Sequence, residues 1–238
     1  MWTDEEQKLF LNIIKKYKPQ YSAEQLNALL KYALLVITEN EKINLTAIID
    51  PEEFAIKHVI DSLIALDYIE GNNVIDVGTG AGMPGFIWAI AKQEPDYVLL
   101  DSLAKRVAFL ERTKISLGLK GVLPLHARAE DAAQEPLHRE KYSIATARAV
   151  ANLAVLSEYC LPFVKIGGYF IALKGPDVEE EIKQCKNALK ILGGKIEDVI
   201  KYQLPQEMGS RSLVLIKKIV KTPKKYPRKA GTPTKAPV

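Results

Sequence analysis

Residues 73–85 read Asn-Val-Ile-Asp-Val-Gly-Thr-Gly-Ala-Gly-Met-Pro-Gly. An apolar run ends on Asp76, glycines recur at every second position (Gly78, Gly80, Gly82), and Pro84 opens an amphipathic stretch over 85–91. That order predicts a buried strand, a tight turn and a helix start. Glycines in such a turn let the backbone approach a ligand that any Cβ would hold off. The segment commits the chain to a strand–turn–helix unit with a nucleotide-shaped seat near its midpoint, although a tight turn alone also accounts for the glycines.

Two cofactor chemistries fit the turn. Gly80, Gly82 and Gly85 satisfy G-x-G-x-x-G, the spacing of a nicotinamide or flavin site with pyrophosphate on the helix start. The acid at Asp76, two places before the first glycine, instead looks like S-adenosylmethionine (SAM) methyltransferases. That cofactor brings no phosphate, and a carboxylate suits its cationic methionine end. Tyr97 to Asp101 is a second apolar run ending on an acid, about 20 residues on, where a ribose-binding carboxylate belongs. A ribose occurs in either cofactor, so Asp101 supports the fold without choosing. A third run, 122–125, leads to Glu130 and Asp131; Asp131 reads as a helix cap.

The 238 residues suffice for one α/β domain with a small appendage. The first 70 residues read as helical. Thr3 with Glu6 and Ser22 with Gln25 are capping-box pairs, and Asp50-Pro51 starts a helix over 54–68. These helices are expected to pack as a lid or platform. From 73 to about 219, strand and helix patterns alternate, which predicts a mostly parallel twisted sheet with helices on both faces. Later strands are expected over 143–146, 169–173, 196–202 and 213–216, the last two antiparallel. The chain thus divides into a helical region (1–70), an α/β domain (71–219) and a tail (220–238). No apolar run is long enough for a membrane span, and the acidic N-terminus lacks a secretory apolar region. Cys160 and Cys185 have no metal-ligand spacing and read as buried, reduced thiols, so the expectation is a cytoplasmic protein without a metal.

Charge is unevenly placed. The chain carries 33 Lys and Arg against 29 Asp and Glu, and eight of the basic residues and no acid lie in 217–238. A net +4 therefore combines a body near −4 with a tail near +8. The proline-studded tail is expected to be extended and mobile when free. A solubilising role would suffice, but the concentration of charge favours an arm for nucleic-acid phosphates. Lys224, Lys225, Arg228 and Lys229 would meet the backbone and Tyr226 would stack.

Taken together the motifs resemble the bacterial 16S rRNA (guanine-N7)-methyltransferases formerly called glucose-inhibited division protein B. The matching pieces are 42–48 (around Asn44-Leu45-Thr46), 58–63 (His58…Asp61-Ser62), 76–85, 99–106, 128–130, 146–150 and 172–175. The tail is of the kind found in Gram-positive members. The pieces at 42–48 and 58–63 lie outside the general SAM motifs and make the resemblance specific.

The resemblance implies a class I, Rossmann-like methyltransferase that uses SAM to methylate N7 of a guanosine in the decoding-site loop of 16S rRNA. It implies that Asp76, Gly78, Gly80, Gly82 and Met83 form the first cofactor turn. Asp101 would hold the ribose, and Ala129 and Glu130 would contact the adenine. Arg148 would position methyl donor and substrate, and Lys174 would contact RNA. The partner would be 16S rRNA, the small ribosomal subunit or an assembly intermediate, the protein a monomer free of membranes. Met83 stands where Phe or Leu is usual and Trp88 where proline is frequent; both keep an apolar wall.

Guanine N7 has a lone pair and no proton, so its methylation needs alignment rather than a general base. The sequence agrees: it has no Asn/Asp-Pro-Pro-aromatic segment for amino-group methylation and no Pro-Cys pair for attack at cytosine C5. His58 and Asp61 suit either a structural interface or RNA contact. His126 and His138 read as structural, and Lys105, Arg106 and Arg112 as a solvated helix face. Competing readings are a methyltransferase of another RNA, a protein or a small molecule, an NAD-dependent oxidoreductase, and an RNA-binding protein with a vestigial seat.

Overall fold

The computed structural model describes residues 1–69, 71–148 and 151–238. Among these residues seven strands form one sheet: β1 (Asn73–Val77), β2 (Asp96–Asp101), β3 (Val122–His126), β4 (Tyr142–Arg148), β5 (Val164–Lys174), β6 (Gly194–Gln203) and β7 (Ser210–Lys218). Their order is β3-β2-β1-β4-β5-β7-β6. β1 to β5 are parallel, whereas β7 runs antiparallel to both β5 and β6. Residues 204–209 are too few to cross over the sheet, so β6 and β7 can only pair as an antiparallel ribbon. The chain winds outward from β1 to β3 and then restarts at β4 beside β1. That reversal leaves a crevice at the C-terminal ends of β1 and β4, the place where such sheets bind ligands.

Strand alternation separates two cores. Val74, Tyr97 and Leu99 face one side, while Ile75, Val77, Val98 and Leu100 face the other. The first side is covered by α1 (Asp4–Tyr17), α2 (Ala23–Asn40), α3 (Pro51–Phe54) and α4 (Asp61–Leu66), with α5 (Gly85–Ala91) and α6 (Ala104–Leu117). The second carries α7 (Ala129–Ala132), α8 (Leu153–Cys160) and α9 (Glu179–Leu192). Both capping boxes form, and Asp50 caps α3 by accepting from the Glu53 N–H. The helix expected over 54–68 contains a π-helical turn, Ala55–Ile60, centred on His58; such turns recur at functional sites.

The helical layer is fastened to the sheet at the glycine turn. The Trp2, Phe10 and Phe54 rings stand 5.3–6.3 Å apart, and Phe54 meets His58 edge-on at 4.9 Å. Buried Tyr32 donates from α2 to the Ala81 carbonyl at 3.0 Å. The Trp88 indole N–H donates to the Ser62 carbonyl at 2.7 Å, joining α5 to α4. A proline at position 88 could not make that bond. No helix among the described residues is long and apolar enough to cross a membrane.

The tail departs from expectation. Instead of a free arm it is a strap across the second helical layer, ending in the short α10 (Thr232–Lys235). Thr222 is buried, and its hydroxyl donates to the Leu192 carbonyl at 2.7 Å. Arg139 donates to the carbonyls of Thr222, Pro223 and Tyr226. Arg228 grips Glu158 of α8 through Nε (2.9 Å) and Nη2 (2.6 Å). Tyr226 is buried among the second core, so its ring is not presented for stacking on a base. The physical reason is that Glu158, 1% exposed, needs a cation, and the aromatic ring gains by leaving water. Lys224, Lys225 and Lys229 remain exposed.

Arg228→Ala is expected to lower unfolding free energy by about 3 kcal/mol, because it leaves a buried carboxylate unpaired. Urea unfolding checks this; a loss below about 1 kcal/mol would show that the strap is not fixed by this pair.

Candidate functional site

A cavity of about 460 Å³ opens in the crevice, lined by Gly78, Thr79 and Gly80 after β1, by Asp101 and Ser102 after β2, and by Arg148 at the end of β4. Leu45, Thr46, His58, Met83 and Arg106 also line it. The turn is pinned at its base, where the N–H groups of Gly78 and Thr79 both donate to the Leu100 carbonyl, at 2.8 and 3.0 Å. Gly80 has φ +62°, and a Cβ built on it would meet no protein atom within 4 Å. At Gly85, by contrast, a Cβ would lie 2.1 Å from Leu99 Cδ2, so this glycine serves the packing of α5 on β2.

Asp76 lies behind the turn, fully shielded. Its Oδ2 accepts from Thr79 Oγ1 at 2.6 Å and from the Gly85 N–H at 2.9 Å. Its Oδ1 is buried and, among the described residues, has no partner. Burial pushes this carboxyl up to about 6, opposed by those two hydrogen bonds. A cation placed over the turn would favour its ionised form, so the site suits a positively charged ligand better than a pyrophosphate. Asp101 lines the cavity with Oδ1 accepting from the Leu103 N–H (2.9 Å) and Oδ2 from the Gly80 N–H (3.0 Å). A carboxylate has about four acceptor positions, which leaves capacity for a ribose diol.

Arg148 forms the opposite wall. Its guanidinium donates to His58 Nδ1 at 3.3 Å, lies 3.5 Å from the Lys57 carbonyl and 3.1 Å from Met83 Sδ, and stands 4.0 Å from Asp61 Oδ2. Since His58 Nδ1 accepts, Nε2 carries the proton and donates to Thr46 Oγ1 at 2.8 Å. Burial first, and the neighbouring Arg148 charge next, push His58 down to about 3, so its ring is neutral at physiological pH. Thr46 is held in turn by Asn40, whose amide brackets it: Oδ1 accepts from the Thr46 N–H, and Nδ2 donates to the Thr46 carbonyl. The Asn44-Leu45-Thr46 and His58…Asp61 segments therefore belong to one hydrogen-bonded chain ending on Arg148.

A second cavity, about 330 Å³, lies on the other side of Arg148 and His58 and shares both side chains. Lys57, Asp61, Lys174 and Arg211 also line it. Asp61 accepts from Tyr202 Oη at 2.6 Å. Burial raises its carboxyl, against the Tyr202 hydrogen bond and the charges of Arg148 and Arg211. Lys174 pairs with Glu181 at 2.8 Å.

Of the residues anticipated for a cofactor, Gly78, Gly80, Met83, Asp101 and Arg148 line the first cavity, and Asp76 and Gly82 back its turn. Ala129 and Glu130 begin α7 and do not line that cavity; Glu130 Oε1 accepts from the Gly231 N–H of the strap at 3.0 Å. Lys174 faces the second cavity, while Lys224, Lys225 and Lys229 lie on the strap, far along the chain from either. Ala149 and Val150, part of the 146–150 motif, lie outside the described residues. Arg106, expected on a solvated face, reaches Asp101 at 3.5 Å, one turn into α6. Tyr202 and Arg211 were not anticipated, since nothing local marks them. His126 is exposed, and His138 bonds Tyr142, as structural residues do. Among the described residues, no group of three or more metal-type ligands is present.

The sequence model of the GidB family, described as rRNA small subunit methyltransferase G, matches residues 25–213. A protein of Desulforamulus reducens named ribosomal RNA small subunit methyltransferase G is 51% identical, covering 87% of this chain and 88% of its own. One of the same name from Clostridium kluyveri is 48% identical over 92% of both chains. Among solved structures, M. jannaschii TYW2 in complex with AdoMet superposes with a TM-score of 0.54 at 14% identity, over 75% of this chain and 80% of that one. A geranyl diphosphate methyltransferase with GPP and sinefungin gives 0.53 at 12%, over 67% and 77%. At such identities the likeness is one of fold.

Gly80→Ala is expected to cost about 1–2 kcal/mol of stability, from its left-handed backbone. It should weaken S-adenosylhomocysteine binding about tenfold or more, because the new methyl enters empty cavity. Calorimetric titration beside urea unfolding tests this; unaltered affinity in a folded variant would remove the ligand from the turn. For His58, whose folded value lies below its unfolded one, the contribution to stability is complete above about 6.5 and lost as pH falls towards 3. The stability of the native chain minus that of His58→Gln should fall by about 1.4 kcal/mol per pH unit between pH 6 and 4. A flat difference would mean that the ring is charged in the folded state.

Proposed function

The chain belongs to the GidB family of rRNA small subunit methyltransferases, and from that premise we propose that it transfers a methyl group from SAM to N7 of a guanosine in the decoding-site loop of 16S rRNA. The observation that carries this reading is the pair of cavities meeting at Arg148 and His58: one with the glycine turn, Asp101 on its wall and Asp76 behind the turn, the other basic. The first suits a cationic nucleoside, the second a nucleotide flanked by phosphates. Small-subunit rRNA as the substrate is supported by the names of relatives about 50% identical over most of the chain.

When bound, SAM supplies an electrophilic methyl on a positively charged sulfur. Asp101 is placed to accept from the ribose hydroxyls, and Asp76 compensates the positive charge from behind the turn. Ala129 and Glu130 would wall the adenine beyond the end of β3. Guanine N7 loses no proton on methylation, and the nearest titratable ring fits that: His58 is neutral, and its Nδ1 lone pair already accepts from Arg148. The task left to the chain is alignment, bringing nucleophile and methyl carbon to about 3–3.5 Å. Arg148, held on several sides, is the positioning group. Lys174 and the exposed Lys224, Lys225 and Lys229 are candidates for phosphate contact, with Arg228 and Tyr226 serving the strap itself. A monomer working in the cytoplasm completes the reading, supported by two buried, unpaired cysteines.

The test is transfer of labelled methyl from SAM to small subunits from a strain lacking the enzyme, with protein-free rRNA in parallel, followed by N7-specific strand cleavage. One labelled guanosine in the decoding-site loop is expected. No transfer to either RNA by a chain that binds S-adenosylhomocysteine would overturn the substrate.

A further inference from the structure

The second cavity contains a chemical mismatch. Lys57, Arg148, Lys174 and Arg211 make it cationic, yet Asp61 stands among them, 3% exposed. Among the described residues its single hydrogen bond is the one Oδ1 accepts from Tyr202. Its Oδ2 accepts none and sees only the guanidinium groups of Arg148 and Arg211, at 4.0 and 3.9 Å. Buried charge groups are ordinarily fully bonded, so an acceptor left open on the wall of a cavity is a vacancy for a donor. Tyr202 comes from β6 and Arg211 from β7. The antiparallel ribbon thereby holds a carboxylate that starts in the helical layer, and the carboxylate is stiffly mounted.

The reaction itself restricts how a guanine can be recognised. Arginine commonly reads guanine bidentately through O6 and N7, but that contact would occupy the lone pair that must react. Selection has to come from another edge. The Watson–Crick edge of guanine offers two adjacent donors, N1–H and the N2 amino group, whereas adenine offers one donor beside an acceptor there. A carboxylate is acceptor-only when ionised and so favours guanine. A base splayed into a pocket is read in this way, on its Watson–Crick edge.

We infer that Asp61 is the residue that selects guanine, accepting from N1–H and N2 of the target base in the second cavity while Tyr202 fixes its orientation. This rests on the guanine-N7 reading above. N7 lies on the edge of the purine away from N2 and stays free of hydrogen bonds. Arg148, on the wall between the cavities, borders base and methyl donor alike.

The test uses small subunits reconstituted with guanosine or inosine at the methylated position. Inosine lacks the N2 amino group and keeps N7 and O6. With the native chain, kcat/KM is expected to fall about 10- to 100-fold on inosine, the range for a lost hydrogen bond to a charged group. Asp61→Asn should fall by a comparable factor on guanosine and show little further loss on inosine, with S-adenosylhomocysteine affinity kept. Tyr202→Phe should give a smaller loss of the same selectivity. A native chain that methylates inosine as fast as guanosine overturns the inference without any variant, as does an Asp61→Asn chain that keeps the native guanosine preference. A native chain that binds S-adenosylhomocysteine yet methylates neither subunit instead overturns the reading on which it rests.

Discussion

A guanidinium drawn out of water must be satisfied by whatever surrounds it, and the arrangement around Arg148 organises both cavities. Its side chain is 16% exposed and sits at the end of β4, where the winding of the sheet reverses. A neutral imidazole, a backbone carbonyl and a carboxylate, all from the helical layer, receive it. Each acceptor is fixed in turn: His58 by Thr46 and the Phe54 ring, Thr46 by Asn40, Asp61 by Tyr202. The N-terminal helices are therefore the other half of the site, and the sheet alone could not hold the arginine.

Two devices share the work of charge compensation. Behind the glycine turn, Asp76 keeps one oxygen without a partner and is pushed up to about 6 by burial. In the second cavity, Asp61 stands among four cations. Burial works against the charge of both acids, in Asp61 opposed by the Arg148 and Arg211 charges, and each keeps an oxygen open to an incoming donor or cation. The strap on the far layer follows the same logic with the partner supplied in the chain: buried Glu158 takes Arg228, and Glu130 takes the Gly231 N–H. This absorbs part of the basic excess of the tail into structure and leaves five exposed lysines, at 221, 224, 225, 229 and 235, as surface charge.

Much of the fold was legible in the chain because it depends on near neighbours. Capping boxes at Thr3 and Ser22, the strand–turn–helix at 73–85, the acid ending β2 and the antiparallel last pair all follow from spacing or loop length. The π-helical turn at His58 was not legible, since the sequence there keeps ordinary helical periodicity. The strap misled for a related reason: proline and lysine describe a segment that cannot fold alone, and composition is silent about a buried glutamate waiting 70 residues earlier.

By itself the sequence determined most of the elements, the seat for a nucleoside cofactor and the residues that line its turn, because strand alternation, caps and glycine turns act over a few residues. Only the tertiary structure decided that Asp61 would meet Tyr202, 141 residues away, and that Arg148 and Arg211 would flank it. Those meetings depend on strand order and on which layer covers which face. Charge pairing needs groups within a few ångströms, and only the packed sheet brings such distant positions together.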